Sequence, residues 1–361
     1  MDIFFYVSSH GYGHAARQQP TLRLLKQAGH RVHVRSAAPA KFFRDAASHT
    51  PAHYDIGMLQ HDPLRYDVAA TAAWYEAFIA REDALIRQEA AAIRQQGAAL
   101  VLSDMPPVAC AIATAAGVPC YVLSHFLWDW VYAHYEAEEP RFTPIIAHIT
   151  RQYASASGAL RMPFAHPFTA FAQAQDVGLF VNTATQPPGA VRAAFGVPAH
   201  HRLALLTMGG HGWGQTDVRP LIAKRGWTFL VMPGAYEQVR AYEHFRLVPT
   251  DYEDYHNLIA AADVVVGKAG GSTVAEVIGH RSRMLYTLTS HWRESALLDA
   301  ALQTHAVSAR VPLDAFERGE WVDMLDALAA QPRRADAGVA LDGPEAALAL
   351  VEKISAGVRR R

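Results

Sequence analysis

Cysteine is nearly absent: Cys110 and Cys120 are the two thiols in 361 residues. They show no zinc-ligand spacing and cannot build a disulfide framework, so a reducing compartment is expected. An excess of one charge is also missing. Lys+Arg 33 against Asp+Glu 34 leaves a net charge of −1, so no global field gathers nucleic acid or an anionic membrane. No apolar run approaches the roughly 20 residues of a membrane span. Met1-Asp2-Ile3-Phe4-Phe5-Tyr6 lacks both a basic lead and a long apolar core, and does not read as a secretory signal. Three catalytic signatures are missing too: the D-x-D triplet of metal-bridged diphosphate sites, the G-x-x-x-x-G-K-[ST] loop and the G-x-S-x-G elbow. What is present is a mixture with 51% hydrophobic and 19% charged residues, which excludes disorder and coiled coil. At roughly 150 residues per domain the length predicts two domains. The expectation is a soluble, cytoplasmic chain without nucleic-acid partners, with peripheral attachment at the inner membrane face as the alternative.

The chain opens with an apolar run, Ile3 to Ser8, that enters His10-Gly11-Tyr12-Gly13-His14. A helix is predicted from about Ala15 to Ala28, with Leu22 and Leu25 inward and Arg17, Arg23 and Lys26 outward. Gly29 stands where a left-handed stop is favoured. Arg31 to Val34 reads as the next strand, which completes a βαβ unit. Strand, helix and strand follow at Ala98 to Ser103, Val108 to Ala116 and Pro119 to Ser124, with Gly117 as the helix stop. Such alternation argues for a parallel sheet covered on both faces. Prolines 163, 167, 187, 188 and 198 then interrupt the pattern, so residues 186–200 are expected to be a linker between domains at 1–185 and 201–340. The second half repeats the plan. Strands are predicted at Leu203 to Met208, Thr228 to Met232, Val264 to Val266 and Met284 to Leu288, with Gly-rich loops at Gly209 to Gly214 and Gly267 to Thr273. Residues 341–361 are read as a terminal helix that packs back on the first domain, with a basic tail. The expected class is α/β: two Rossmann-like parallel-sheet domains facing across a cleft.

The strongest chemical signal is the loop Gly267-Lys268-Ala269-Gly270-Gly271-Ser272-Thr273. Amides at the start of a helix favour an anion such as a diphosphate, and glycines let the backbone come close. Ser272 or Thr273 can cap the helix. Lys268 adds positive charge, and Glu276, one turn in, suits the vicinal hydroxyls of a ribose. An ordinary capped turn with a surface lysine is the plain alternative. Around Gly11 and Gly13 the dinucleotide fingerprint fails, because the acidic residue expected about 20 positions on is missing. That loop does place His14 on the first turn of a helix, where a neutral imidazole can serve as a general base. His10 and His14 lack a third ligand, so no metal is expected. Ser124-His125-Phe126-Leu127-Trp128-Asp129-Trp130, with Tyr132 beyond, mixes aromatic faces with polar groups and suits a polyol; a buried aromatic core is the equal alternative.

These motifs together resemble the GT-B glycosyltransferase superfamily over nearly the whole chain. Gly11 to Arg17 resembles the His-ending Gly loop of the peptidoglycan-precursor N-acetylglucosaminyltransferases and the G-H-x-x-R loop of the pseudaminic-acid-pathway nucleotide-sugar hydrolases. Ser103 to Cys110, Phe126 to Tyr132 and Gly267 to Glu276 are similar to segments of the glycosyltransferase-like N-terminal region of plant L-arabinokinases. The kinase half of those proteins has no counterpart here, and His125 replaces an Asn of that family. The two-glutamate pattern of retaining enzymes is broken, since Met284 occupies the matching position after Glu276.

The resemblance implies a metal-independent, inverting transfer from a nucleotide-diphosphate sugar, UDP-linked by preference, to an acceptor hydroxyl, with no further cofactor. It implies His14 as the base; Asp104, from its place after a strand, is the candidate for orienting it or meeting the acceptor. Gly209, Gly210, Lys268, Gly270, Gly271, Ser272, Thr273 and Glu276 would hold the nucleotide. The donor sugar would meet His291, Trp292, Arg293 and Glu294; the residues themselves, and not the resemblance, offer Gly11, Gly13, His125, Trp128, Asp129 and Tyr132 as the acceptor contacts. A nucleotide-sugar hydrolase and a non-catalytic binding module are the competing expectations.

Overall fold

The computed structural model describes residues 1–62, 64–209, 213, 216–232 and 235–358. The chain divides into two compact units. The first comprises Met1–Leu59, Tyr66–Phe180 and Ala340–Arg361; the second comprises Gln60–Arg65 and Val181–Val339.

In chain order the strands are β1 Asp2–Val7, β2 Arg31–Arg35, β3 Ser48–Thr50, β4 Gln60–Asp62, β5 Arg65–Tyr66, β6 Leu100–Asp104, β7 Cys120–Ser124, β8 Gly158–Arg161 and β9 Ala174–Asp176. The later strands are β10 Arg202–Thr207, β11 Trp227–Val231, β12 Phe245–Leu247, β13 Val264–Lys268, β14 Arg283–Thr287 and β15 Val307–Arg310. The first unit carries a seven-stranded sheet in the order β3-β2-β1-β6-β7-β8-β9, and the second a six-stranded sheet in the order β12-β11-β10-β13-β14-β15. Every pairing within these two sheets is parallel. The strand order reverses between β1 and β6 in one sheet and between β10 and β13 in the other. At such a switch point the two following loops diverge and leave a crevice at the carboxyl ends of the strands.

Each core follows from the apolar runs. Ile3, Phe5 and Val7 of β1 pack with Leu22 and Leu25 of the first helix, Gly13–Gln27. Ala347 and Val351 of the last helix, Gly343–Val358, close the same core. In the second unit Ala204, Leu206, Val264 and Val266 meet Trp227, Phe229 and Trp321.

The boundary differs from the Pro-rich linker expected at residues 186–200. The units part between Phe180 and Val181, and Pro188–Ala194 is a helix of the second unit with Pro188 in its first turn. Proline is well placed there because its missing N–H would have no helical partner in any case. Of the five prolines that suggest a linker, Pro187 and Pro188 start this helix.

Candidate functional site

In the first unit the site stands at the switch point. Val7 pairs with Asp104 in register, and Ser8 N donates to the Asp104 carbonyl at 2.9 Å. Gly11, with φ of 65°, turns the chain out of the sheet, and Gly13 starts the helix that carries His14. Tyr12, between the two glycines, is exposed. Met105, directly after Asp104, has φ of 88°, an uncommon conformation for a side chain of that size. Its carbonyl is pinned by the Tyr153 hydroxyl at 2.7 Å.

His14 and Asp104 meet here. His14 is 5% exposed and Asp104 wholly buried, and the His14 Nδ1 lies 2.8 Å from Asp104 Oδ1. Arg17 was expected on the outward face of its helix, but it is turned inward and 4% exposed. Its Nε donates to Asp104 Oδ2 at 2.7 Å, and its Nη2 donates to Oδ1. Arg17 Nη1 reaches His125 Nδ1 at 2.8 Å. Gln18 Nε2 donates to Asp104 Oδ2 at 2.6 Å, with the amide oriented by Thr21 Oγ1 on its Oε1 at 3.0 Å. Burial alone would raise the Asp104 carboxyl, but the charges of Arg17 and His14 hold it well below the usual carboxylate range. Burial and the Arg17 charge together push His14 down, against the pull of Asp104, so the ring is biased to its neutral form. The neutrality expected from the helix start thus has a different main cause.

A second carboxyl lies behind this group. Asp55 is 1% exposed and accepts from Ser8 Oγ at 2.9 Å and Trp128 Nε1 at 2.8 Å. Burial drives it up to about 7, with the Asp104 charge adding to the effect and the two hydrogen bonds opposing it.

The expected acceptor contacts divide. His125 joins the buried group through Arg17. Trp128 and Tyr132 are wholly buried, one bound to Asp55 and the other through its hydroxyl to the Gly57 carbonyl at 2.7 Å. They stack on each other with centroids 5.6 Å apart. They form the core that supports the site and present no face to an acceptor, a correction to the polyol reading. Asp129 accepts from Trp130 N at 2.8 Å and Thr150 Oγ1 at 3.1 Å, so it ties its short helix to the helix Phe142–Ala154.

The second unit has its own switch-point site. Thr207 pairs with Gly267, and a Cβ on Gly267 would overlap the Thr207 carbonyl. Gly209, with φ of 69°, turns the chain after β10; Gly210 lies outside the described residues. Gly270 is the N-cap of the helix Gly271–Gly279 and bears no capping side chain. A Cβ there would meet nothing within 4 Å. The capping role expected of Ser272 or Thr273 is therefore not taken, since both lie inside the first turn.

Lys268 ends β13. Burial pushes its ammonium down to about 8, against the charges of Glu294 and Asp62. Beside it in register, the Thr287 hydroxyl is wholly buried without a hydrogen-bond partner among the described residues. Trp292 Nε1 donates to Glu294 Oε2 at 2.8 Å. Arg293 is half-buried and His291 exposed, with φ of 53°. Glu276 Oε1 accepts from Asn182 N at 3.0 Å and Asn182 Nδ2 at 2.9 Å, and Oε2 lies 3.1 Å from His280 Nε2. A ribose gripped by Glu276 would have to share its carboxylate oxygens with these donors. Asp62 was missed from sequence, because the segment Gln60–Arg65 precedes the second sheet by more than a hundred residues yet folds with it. Among the described residues no group of three or more His, Cys, Asp or Glu could hold a metal ion. No helix among them is long and apolar enough to cross a membrane.

The glycosyltransferase VinC, solved in complex with DTDP, superposes with a TM-score of 0.65 at 16% identity, covering 100% of both chains. The calicheamicin glycosyltransferase CalG4 gives 0.63 at 14% identity, covering 98% of each chain. A UDP-glucosyltransferase from Polygonum tinctorium gives 0.62 at 12% identity, also covering 98% of each. The fold is GT-B. In sequence, the L-arabinokinase of Arabidopsis thaliana is 27% identical over 332 residues, 89% of this chain. The chain spans 31% of the length of that curated relative. No protein-family model matches the GT-B chain.

Proposed function

We propose that this chain is a glycosyltransferase that moves a sugar from a nucleotide-diphosphate donor to an acceptor hydroxyl, with inversion and without a metal. The observation that carries the reading is the buried His14–Asp104 contact at the switch point of the first sheet. With Nδ1 committed to Asp104, Nε2 is the ring nitrogen left to accept a proton. The acceptor hydroxyl gives its proton to Nε2 as its oxygen bonds to the anomeric carbon. The bond from that carbon to the diphosphate oxygen breaks, and the nucleoside diphosphate leaves with the electron pair. Asp104 stabilises the imidazolium so formed, as a buried carboxylate does for other catalytic histidines.

The second unit serves the leaving group. Lys268 and the amides opening at Gly270, Gly271, Ser272 and Thr273 offset the charge that develops on the diphosphate. Trp292 and Glu294 are the donor-sugar contacts, and a UDP- or dTDP-linked donor fits the reading best. The exposed Tyr12 loop with Gly11 and Gly13 is the acceptor side.

The test is a thermal-shift panel of UDP, dTDP, GDP, CDP and ADP, followed by donor turnover with and without hydroxyl acceptors. A nucleotide at a hundred times its Kd adds about 2.7 kcal/mol to stability, so its own base should raise the Tm clearly. Turnover that requires an acceptor supports the transferase. Free sugar released without an acceptor assigns a hydrolase, and binding without any turnover assigns a regulatory module.

A further inference from the structure

The hydrogen bonding of Arg17 exceeds what a structural salt bridge needs. Its guanidinium takes both oxygens of Asp104 and a ring nitrogen of His125 at once. A guanidinium can donate and never accept, and an ionised carboxylate can accept and never donate. These two facts settle the His125 ring directly, whereas at His14 the guanidinium and the closer carboxylate compete for Nδ1. His125 Nδ1 sits 2.8 Å from Arg17 Nη1 and must accept, so its neutral ring carries hydrogen on Nε2.

His14 Nδ1 faces Asp104 Oδ1 at 2.8 Å and Arg17 Nη2 at 2.9 Å. If its proton were on Nε2, the Nδ1 lone pair would oppose the lone pairs of Oδ1. With the proton on Nδ1 the carboxylate is satisfied, and the Nη2 hydrogens turn to Oδ1 and to Ser124 Oγ at 3.5 Å. Gln18, held by Thr21, fills the remaining side of Oδ2. Asp104 is thereby clamped in one rotation.

We propose that Arg17 is the positioning residue of this site: by holding Asp104 and His125 together it fixes the His14 proton on Nδ1 and the His125 proton on Nε2. The two neighbouring rings then differ in kind. His14 offers a bare nitrogen that accepts a proton, and His125 offers an N–H that donates a hydrogen bond. The arrangement deepens the transferase reading and rests on it for its catalytic meaning; the tautomers themselves do not depend on any substrate. The groups that face His14 are Arg17 from its own helix, Asp104 from β6, and His125, Phe126 and Trp128 after β7, with His10 in the loop; Gln18 acts through Asp104. Asp55 acts one step removed, through Asp104.

Two measurements test this. The first is long-range 1H–15N NMR of the wild-type protein, labelled at histidine, near neutral pH and without ligand. The expected result is the Nδ1–H form for His14 and the Nε2–H form for His125. The opposite forms, or averaged tautomers at either ring, overturn the proposal without need of any variant. The second is the pH profile of kcat/KM for Arg17→Gln and Arg17→Lys. Loss of the positive charge in Arg17→Gln raises the His14 pKa, so the acid limb moves to higher pH. Arg17→Lys keeps the charge but not the fork, so the limb stays while kcat falls by about tenfold or more, as for other lost supporting contacts. A limb unmoved in the Gln variant, or wild-type kcat in the Lys variant, contradicts the assignment. A wild type that turns over no donor removes the transferase reading, and the NMR result still decides the tautomers.

Discussion

Asp55 illustrates the chemistry a single residue can hide. Its carboxyl is raised to about 7 because burial disfavours the charge more than Ser8 and Trp128 favour it. In the unfolded chain it titrates near 3.9. Between roughly pH 4 and 7 the folded chain keeps a proton that the unfolded chain has released, so this group's contribution is fully present below the unfolded pKa and lost as pH rises through the folded one. Asp55→Asn removes that dependence. The Tm of the variant relative to wild type should therefore be more favourable at pH 8 than at pH 5, by differential scanning calorimetry; an equal difference at both would contradict the assignment. Lys268 gives a second pH signature. With its ammonium lowered to about 8, nucleoside diphosphate affinity should weaken by up to about tenfold per pH unit above that value. Calorimetric titration of UDP and dTDP from pH 6.5 to 9.5 measures this, and Lys268→Gln should bind weakly with a flat profile. Sequence pointed to both His14 and Lys268 through their glycine loops. It could not show Arg17 turning inward, because an arginine on an amphipathic helix looks solvated until a buried carboxylate from another strand claims it.

At the scale of elements, the alternation of strands and helices was legible because apolar runs and glycine stops mark it directly. Val108–Ala116 was predicted with its observed bounds, and Gly117 takes the expected left-handed turn, with φ of 79°. Aromatic clusters were less legible. Composition cannot separate a ring that faces a sugar from one that faces another ring, and Trp128 and Tyr132 proved to be core. The glycines also divide by cause. Gly267 is required by close approach of β13 to the Thr207 carbonyl, whereas space beside Gly270 is open. Gly267→Ala should therefore lower stability by more than the ~1–3 kcal/mol typical of overpacking, with a Tm fall visible by circular dichroism. Gly270→Ala should keep the Tm within a few degrees and weaken nucleotide binding instead. The reverse pattern would show that the loop is a packing device.

The whole molecule is assembled by two returns of the chain that local patterns do not announce. The segment Gln60–Arg65 joins the second unit, where Arg65 pairs with Glu317 at 2.6 Å. The last helix rejoins the first unit, with Glu352 on His30 at 3.0 Å and Gly343 so close to the Phe180 ring that a Cβ would overlap it. Because that helix packs on the one bearing His14 and Arg17, removing residues 343–361 should lower the Tm and abolish turnover together. Retained activity in the truncated chain would show that the first helix holds its position unaided. The proposed transfer turns on His14 taking the acceptor proton. The most direct measurement is nucleoside diphosphate release from UDP- and dTDP-hexoses, wild type against His14→Ala, with the Kd for each nucleotide measured on both proteins. The expected result is turnover lower by about 10²–10⁴-fold with nucleotide affinity unchanged. Turnover equal to wild type at equal affinity would contradict it.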